Sequence, residues 1–274
     1  MFSPFYAAAR RRGSADPERH CSLNVAVYGQ TAERWSFTEH RRDAVSREPE
    51  RWRVAGNELR WEGEDLVIGI DDWSAPLGLR GRVRGQVRVT PTRINDRSFR
   101  IDPEGLHRWW PIAPHGRARV ELDSPQLRFE GSAYLDSNWG DEPMEAGFST
   151  WTWSRAEVGD ATVVLYDAAP RRGPAYERAM RFGREGLEYL DGSAFEWTSL
   201  PQGGWGMERK TRVSRGGDAQ LLRTLEDAPF YTRNLMKTRV LGEEVRAVHE
   251  SLDLDRWARP RTQFMLPFRM RKRR

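Results

Sequence analysis

Residues 131–142, GSAYLDSNWGDE, carry a strand-like run into a carboxylate, Asp136, after which the chain reads as breaking into a polar turn. Tyr134 lies two residues earlier, and in an extended backbone a period of two puts both side chains on one face. A second cluster, His107-Arg108-Trp109-Trp110-Pro111, repeats that geometry, with His107 and Trp109 sharing a face. Two strand pairs of this kind can face one pocket. The chemistry open to such a pocket is proton transfer. A carboxyl group buried among aromatic rings has its pKa raised by up to roughly 3 to 5 units and keeps its proton near neutrality. An indole face stabilises a passing cation by about 2 kcal/mol when it is desolvated.

Each of these residues also has a plainer reading. Asp136-Ser137-Asn138 can close a strand as an Asx-type turn. His107 can bond a backbone carbonyl inside a core, and Trp109, Trp110, Trp139 and Tyr134 can be core residues, which is compatible with lining a pocket. The apolar residues Leu127, Phe129, Ala133 and Leu135 share the face opposite Tyr134 and Asp136. Unless Gly131 resets that register with a bulge, Asp136 faces away from the main apolar layer.

Other chemistries lack their signatures. The five histidines, His20, His40, His107, His115 and His249, show no HExxH or paired-cysteine spacing, so no metal is expected. A nucleophile elbow, a Walker loop and a dinucleotide fingerprint are also missing.

The elements that must position these residues read as strands. Leu79, Gly81, Val83, Gly85, Val87 and Val89 alternate with Arg80, Arg82, Arg84, Gln86 and Arg88, the pattern of a half-buried antiparallel strand. Similar runs occur at 23–28, 66–70, 117–122, 126–135, 161–166 and 245–252, separated by Gly, Pro and Asp turn signals such as Ser74-Ala75-Pro76 and Asp123-Ser124-Pro125. No βαβ alternation is present. The expected class is all-β, a barrel or sandwich, with a linear boundary at Gly140–Gly147 dividing the chain into 1–145 and 146–274.

A chain of 274 residues with 38% hydrophobic residues and twelve Trp has enough apolar mass for a core in each half. No apolar run approaches the roughly 20 residues needed to span a bilayer. Residues 1–12 lack the apolar region of a secretory leader, and the lone Cys21 fits a reducing compartment, so a cytoplasmic location is expected. Five of the positive charges behind the net +5 are Arg269, Arg271, Lys272, Arg273 and Arg274. Such a tail is a solvated terminus or a contact for an anionic surface, and without a nucleic-acid-binding motif the expected surface is a membrane.

Several longer motifs in order, HRWWPIAP (107–114), GSAYLDSNWGDEP (131–143), WTWSR (151–155), AVHESLDLDR (247–256) and QFMLPFRM (263–270), resemble the carotenoid 1,2-hydratases, also called hydroxyneurosporene synthases. The start, FSPFYAAARRRGSADPERHCSLNVAVYG, is similar too, so the resemblance runs nearly end to end. It implies two consecutive lipocalin-like antiparallel β-barrels. It also implies cofactor-independent addition of water across the terminal C1,C2 double bond of acyclic carotenoids such as neurosporene and lycopene. By that resemblance Asp136 is the proton donor, with His107, Trp109 and Tyr134 at the same site. Longer members carry a tryptophan-rich segment upstream of FSPFY. The competing expectation is a carotenoid or lipid carrier with a lipocalin-like pocket and no chemistry. A peripheral location at the inner or photosynthetic membrane follows from the nature of the substrate.

Overall fold

A computed structural model describes residues 3–13, 15–29, 33–75, 79 and 81–272, the side chains of Arg271 and Lys272 excepted. The described residues are mostly in antiparallel strands, as the alternating runs require, so the all-β expectation holds. They group into two compact units, one of Met1–Pro91, Gly116–Ala133 and Gln263–Arg274, the other of Thr92–His115 and Tyr134–Thr262.

The first unit opens with α1 (Pro4–Arg11), whose N-cap Ser3 accepts a hydrogen bond from the Tyr6 N–H. The hairpin β1 (Cys21–Tyr28) and β2 (Glu33–His40) follows. A meander then runs through β3 (Val45–Glu48), β4 (Arg51–Val54), β5 (Asn57–Glu62), β6 (Asp65–Trp73) and β7 (Arg82–Pro91). The long strands β9 (His107–Ser124) and β10 (Gln126–Gly140) follow at the edge of this sheet and belong to the first unit only over Gly116–Ala133, while the two-residue β8 (Phe99–Arg100) pairs with the part of β9 that lies in the second unit. Leu23, Val25 and Val27 of β1 pack on a core of Ile70, Val83 and Leu122. Each such aliphatic side chain contributes about 1.5 to 3 kcal/mol when fully buried.

The expected strand at 79–89 starts only at Arg82. Gly81 has φ 84°, left-handed backbone that interrupts a strand, and Leu79 before it is exposed. Pro76 of the expected turn, Arg80 of that strand and Arg273 and Arg274 of the basic tail lie outside the described residues. Inside β7, Gly85 has φ 140°, and a Cβ there would stand 2.3 Å from the Glu121 carbonyl oxygen of β9. The pairing of β7 with β9 shifts register at that point, so the bulge needs glycine.

A larger correction concerns Asp136. It neither ends a strand nor starts an Asx turn, because β10 continues without a break to Gly140. Buried positions also change parity along the β9–β10 hairpin. In β9 they are odd-numbered from His107 to Ala113 and include Leu122 in the turn half; in β10 Leu127 packs on the first core, while Tyr134 and Asp136 lie on the opposite face. Each half of the hairpin therefore buries the face that its own unit requires. The turn half belongs to the first unit and the open half to the second, so the units interleave along the chain, whereas the sequence reading is a linear division at 145/146.

In the second unit, α2 (Met144–Gly147) leads into β11 (Phe148–Val158), β12 (Ala161–Pro170), β13 (Tyr176–Gly183) and β14 (Gly186–Tyr189). The hairpin β15 (Phe195–Leu200) and β16 (Arg209–Ser214) precedes β17 (Ala219–Asp227), β18 (Tyr231–Val240) and β19 (Glu243–Asp253). Seven of these strands form one antiparallel sheet in the order β14-β13-β12-β11-β19-β18-β17. One sheet face, with Ala156, Val163, Leu165, Met236 and Ala247, packs on Phe195 and Leu200 of the β15–β16 hairpin. The chain closes with α3 (Leu254–Ala258), α4 (Pro260–Met265) and β20 (Arg271–Lys272), which runs parallel to β2.

Candidate active site

The other face of that sheet carries the candidate site residues. Trp153 of β11 sits opposite Tyr166 of β12 and Glu250 of β19, and Trp151 sits opposite Ala168. Directly opposed residues project to the same side, so Trp151, Trp153, Tyr166 and Glu250 share one face. From the open half of β9–β10, Trp109 and Asp136 meet: the indole Nε1 donates to Asp136 Oδ2 at 2.9 Å. The Tyr134 hydroxyl donates to the same oxygen at 3.1 Å.

The rings make a continuous wall. Trp109 is fully buried and lies 4.6 Å from Tyr166 and 5.4 Å from Phe99, centroid to centroid. Trp151 stacks on Tyr166 at 5.3 Å, and Tyr134 packs on Trp153 at 5.0 Å. The Tyr166 hydroxyl donates to Asn138 Oδ1 at 3.1 Å, which explains why the polar sequence after Asp136 stays extended. Tyr134, Asp136 and Asn138 occupy alternate positions of β10 and all find partners on this side.

Burial pushes the Asp136 carboxyl up to about 6. The hydrogen bonds from Trp109 and Tyr134 favour the charged form and oppose that rise, while the Glu250 carboxylate adds to it. Burial also raises the Tyr134 and Tyr166 hydroxyls well above their ordinary value, so both are donors throughout the useful pH range. The Arg155 guanidinium stands over the Tyr134 ring at 5.6 Å, where burial lowers its pKa.

Three of the four residues singled out from sequence, Trp109, Tyr134 and Asp136, thus form one hydrogen-bonded group. His107 shares the face of Trp109 but has different neighbours. Its ring packs edge-on against Phe148 at 4.8 Å, and its Nε2 lies 3.6 Å from Glu142 Oε1 without a hydrogen bond. Gly140 and Gly147 make room for it: a Cβ at either would stand 2.4 Å from Nδ1 or 2.6 Å from Nε2. Glu142 is held in turn by Arg172 at 3.1 Å.

Tyr166, Trp153, Asn138 and Glu250 were not singled out from the sequence. Tyr166 ends an apolar run with no local sign of function, and only the register of β11 with β12 brings it beside Trp153. The alternation Trp151-Thr152-Trp153 was the available signal, since it marks two indoles on one face. Among the described residues the buried Tyr176 Oη has no hydrogen-bond partner. A separate cleft of about 220 Å³ in the same unit is lined by Arg93, Asn95, His115, Phe182 and Leu187 and does not include Asp136. Among the described residues no three His, Cys, Asp or Glu side chains gather as metal ligands.

Fold and site define a class: an all-β protein in which a carboxyl desolvated among indole and phenol rings accepts, among the described residues, from neutral donors. The family model described as "Carotenoid hydratase CrtC" matches residues 1–274, and the chain belongs to that family. The acyclic carotenoid 1,2-hydratase of Thiocapsa roseopersicina is 46% identical over 271 residues, which cover 98% of this chain and 66% of the relative. The acyclic carotenoid 1,2-hydratase of Rubrivivax gelatinosus is 41% identical over 281 residues, covering 100% of this chain and 67% of the relative. The chain therefore spans about two thirds of the length of those two proteins, but the enzyme of the same name from Rhodobacter capsulatus, 33% identical, is covered to 95%. Among solved structures, a putative AttH from Nitrosomonas europaea aligns with a TM-score of 0.55 and 11% identity, over 77% of this chain and 72% of that one. That likeness is one of fold alone, and the fold is lipocalin-like.

Proposed function

We propose that this protein adds water across the terminal C1,C2 double bond of acyclic carotenoids such as neurosporene and lycopene, giving 1-hydroxy carotenoids without a cofactor. The observation that carries the reading is the Asp136 carboxyl, which burial pushes up to about 6 in an aromatic enclosure where its hydrogen-bond donors among the described residues, Trp109 and Tyr134, are neutral. Membership of a family whose relatives are named for this reaction supplies the substrate class.

Both hydrogen bonds to Asp136 end on Oδ2, which leaves Oδ1 to carry the proton. Transfer of that proton to C2 uses the π electrons of the double bond and leaves a tertiary cation at C1. The indole of Trp109 and the neighbouring rings face the cation. A water oxygen then bonds to C1, and the surplus proton leaves it for a base, restoring the protein after Asp136 is reprotonated. The Tyr134 hydroxyl, whose pKa is raised, serves as a donor that fixes Asp136. His107, whose Nε2 has no hydrogen-bond partner, is the base or orienting group for water. The test is incubation of the purified protein with neurosporene or lycopene in liposomes, with mass spectrometry of the extracted pigment. A gain of one water is expected. Pigment that is bound but returned unchanged would replace hydration by carriage.

The substrate lives in a membrane, and among the described residues no helix is long and apolar enough to cross one. Peripheral contact with the inner or photosynthetic membrane follows, with the basic residues from Arg269 to Arg274 as one contact. Deletion of residues 269–274 is expected to weaken binding to anionic vesicles, and unchanged binding would remove the tail from that role.

A further inference from the structure

Phe264 and Phe268 are 71% and 67% exposed, yet they touch each other edge-on with ring centroids 5.6 Å apart. They stand four residues apart where α4 passes into the 3-10 turn Leu266–Phe268, a spacing that puts both on one face. The flanks of this segment are fixed. Thr262 and Met270 on either side are 4% and 6% exposed, the Arg269 guanidinium lies 4.8 Å over the Trp35 ring, and β20 pairs with β2. The two phenyl rings are therefore held out on an anchored base.

The charge of the surrounding sequence identifies what would cover them. Residues 256–274 contain eight Lys or Arg and no Asp or Glu, so the chain's +5 less these eight leaves −3 on residues 1–255. An apolar pair in a locally cationic segment fits an anionic bilayer, where the rings enter the acyl region and the guanidinium groups stay with the headgroups. Arg259 and Arg261 are exposed to do so. We propose that Phe264 and Phe268 form a wedge that inserts into anionic lipid. This rests on the peripheral membrane contact proposed above and extends it from a charge contact to an inserted one.

The experiment uses the whole chain with vesicles of phosphatidylcholine and phosphatidylglycerol. Flotation of the Phe264→Ser/Phe268→Ser variant is compared with that of the parent protein, and an environment-sensitive fluorophore is placed at Phe264→Cys in a Cys21→Ser background. The double variant is expected to bind about 30-fold more weakly, with unchanged melting because both rings are exposed. The fluorophore is expected to shift to the blue and to be quenched by spin labels on the acyl chains. Equal binding by the double variant, or a bound fluorophore still in water, would overturn the wedge while leaving the charge contact standing. A parent protein that ignores anionic vesicles altogether would remove the peripheral reading and the wedge with it. If the parent is a dimer that the double variant splits into monomers, the rings cover a second copy of the chain and the lipid assignment fails.

Discussion

The sheet of the second unit buries titratable groups on both faces, and the two faces treat them differently. On the face covered by β15–β16, Asp167 meets the Arg212 guanidinium at 2.6 Å, and Arg212 also donates to the Arg178 carbonyl. His249, pushed down to about 4 by burial, shares its Nε2 with the Lys210 carbonyl at 2.9 Å. There each buried group has a charged or backbone partner. On the opposite face Asp136 has an indole and a phenol. Burial raises both carboxyls, Asp136 to about 6 and Asp167 to about 7, and at Asp167 the Arg212 guanidinium pulls against the rise. The two faces differ in partners rather than in the direction of the shift: the Asp167 carboxyl is tied to a guanidinium, whereas the donors on Asp136 are neutral.

The largest expected effect that tests this contrast comes from Asp136→Asn. The substitution keeps an acceptor for Trp109 and Tyr134 but has no proton to give, and turnover is expected to fall by about 10² to 10⁴. Stability should move the other way. With its carboxyl raised to about 6, the fold prefers the neutral form, so Asp136 costs nothing below about pH 4 and destabilises increasingly as pH rises through about 6. Above that the cost is about 3 kcal/mol. Asp136→Asn should therefore melt higher than the parent at pH 8 and equally at pH 4. A variant that melts lower at pH 8 would mean that the ionised carboxylate is stabilising.

Arg212→Met probes the paired face. It strands Asp167 in the core without its cation, which is expected to cost about 3 to 5 kcal/mol. Adding Asp167→Leu should recover most of the loss, because an apolar pair of similar volume is nearly neutral where the ion pair stood. Thermal melting of the three variants gives the cycle. If Arg212→Met alone melts like the parent, Asp167 is already neutral and the contrast between the faces collapses.

The sequence carried one of these faces and not the other. Alternation was enough for the strand runs at 23–28, 66–70, 117–122 and 161–166, which all fall within observed strands. Period two also put Tyr134 beside Asp136 and His107 beside Trp109, because such pairs are local. The polar triplet Asp136-Ser137-Asn138 reads as a turn because Trp109, which donates to Asp136, and Tyr166, which donates to Asn138 from 28 residues away, lie on other strands. The Asp167–Arg212 pair spans 45 residues and two sheets, beyond the reach of any local pattern. Gly131 was a candidate for a bulge to reset β10, but the change of inward face accompanies the passage of the hairpin from one unit to the other.

The smallest effect separates two roles for Tyr134. If its hydroxyl only steadies the ionised form of Asp136, Tyr134→Phe removes one hydrogen bond to a carboxylate, worth about 1.5 to 3 kcal/mol. The acid then holds its proton to higher pH. The parent's kcat/KM is expected to fall as pH rises through about 6, and in Tyr134→Phe that limb is expected to move upward by about 1 to 2 pH units, with the low-pH plateau nearly unchanged. A plateau that drops at every pH without a shift of the limb would instead place Tyr134 on the attacking water. The ring of Phe keeps the contact with Trp153 and the Arg155 guanidinium over its face, so the comparison isolates the hydroxyl. A shifted limb also identifies the acid, since a limb that Tyr134→Phe can move belongs to the carboxyl that its hydroxyl touches.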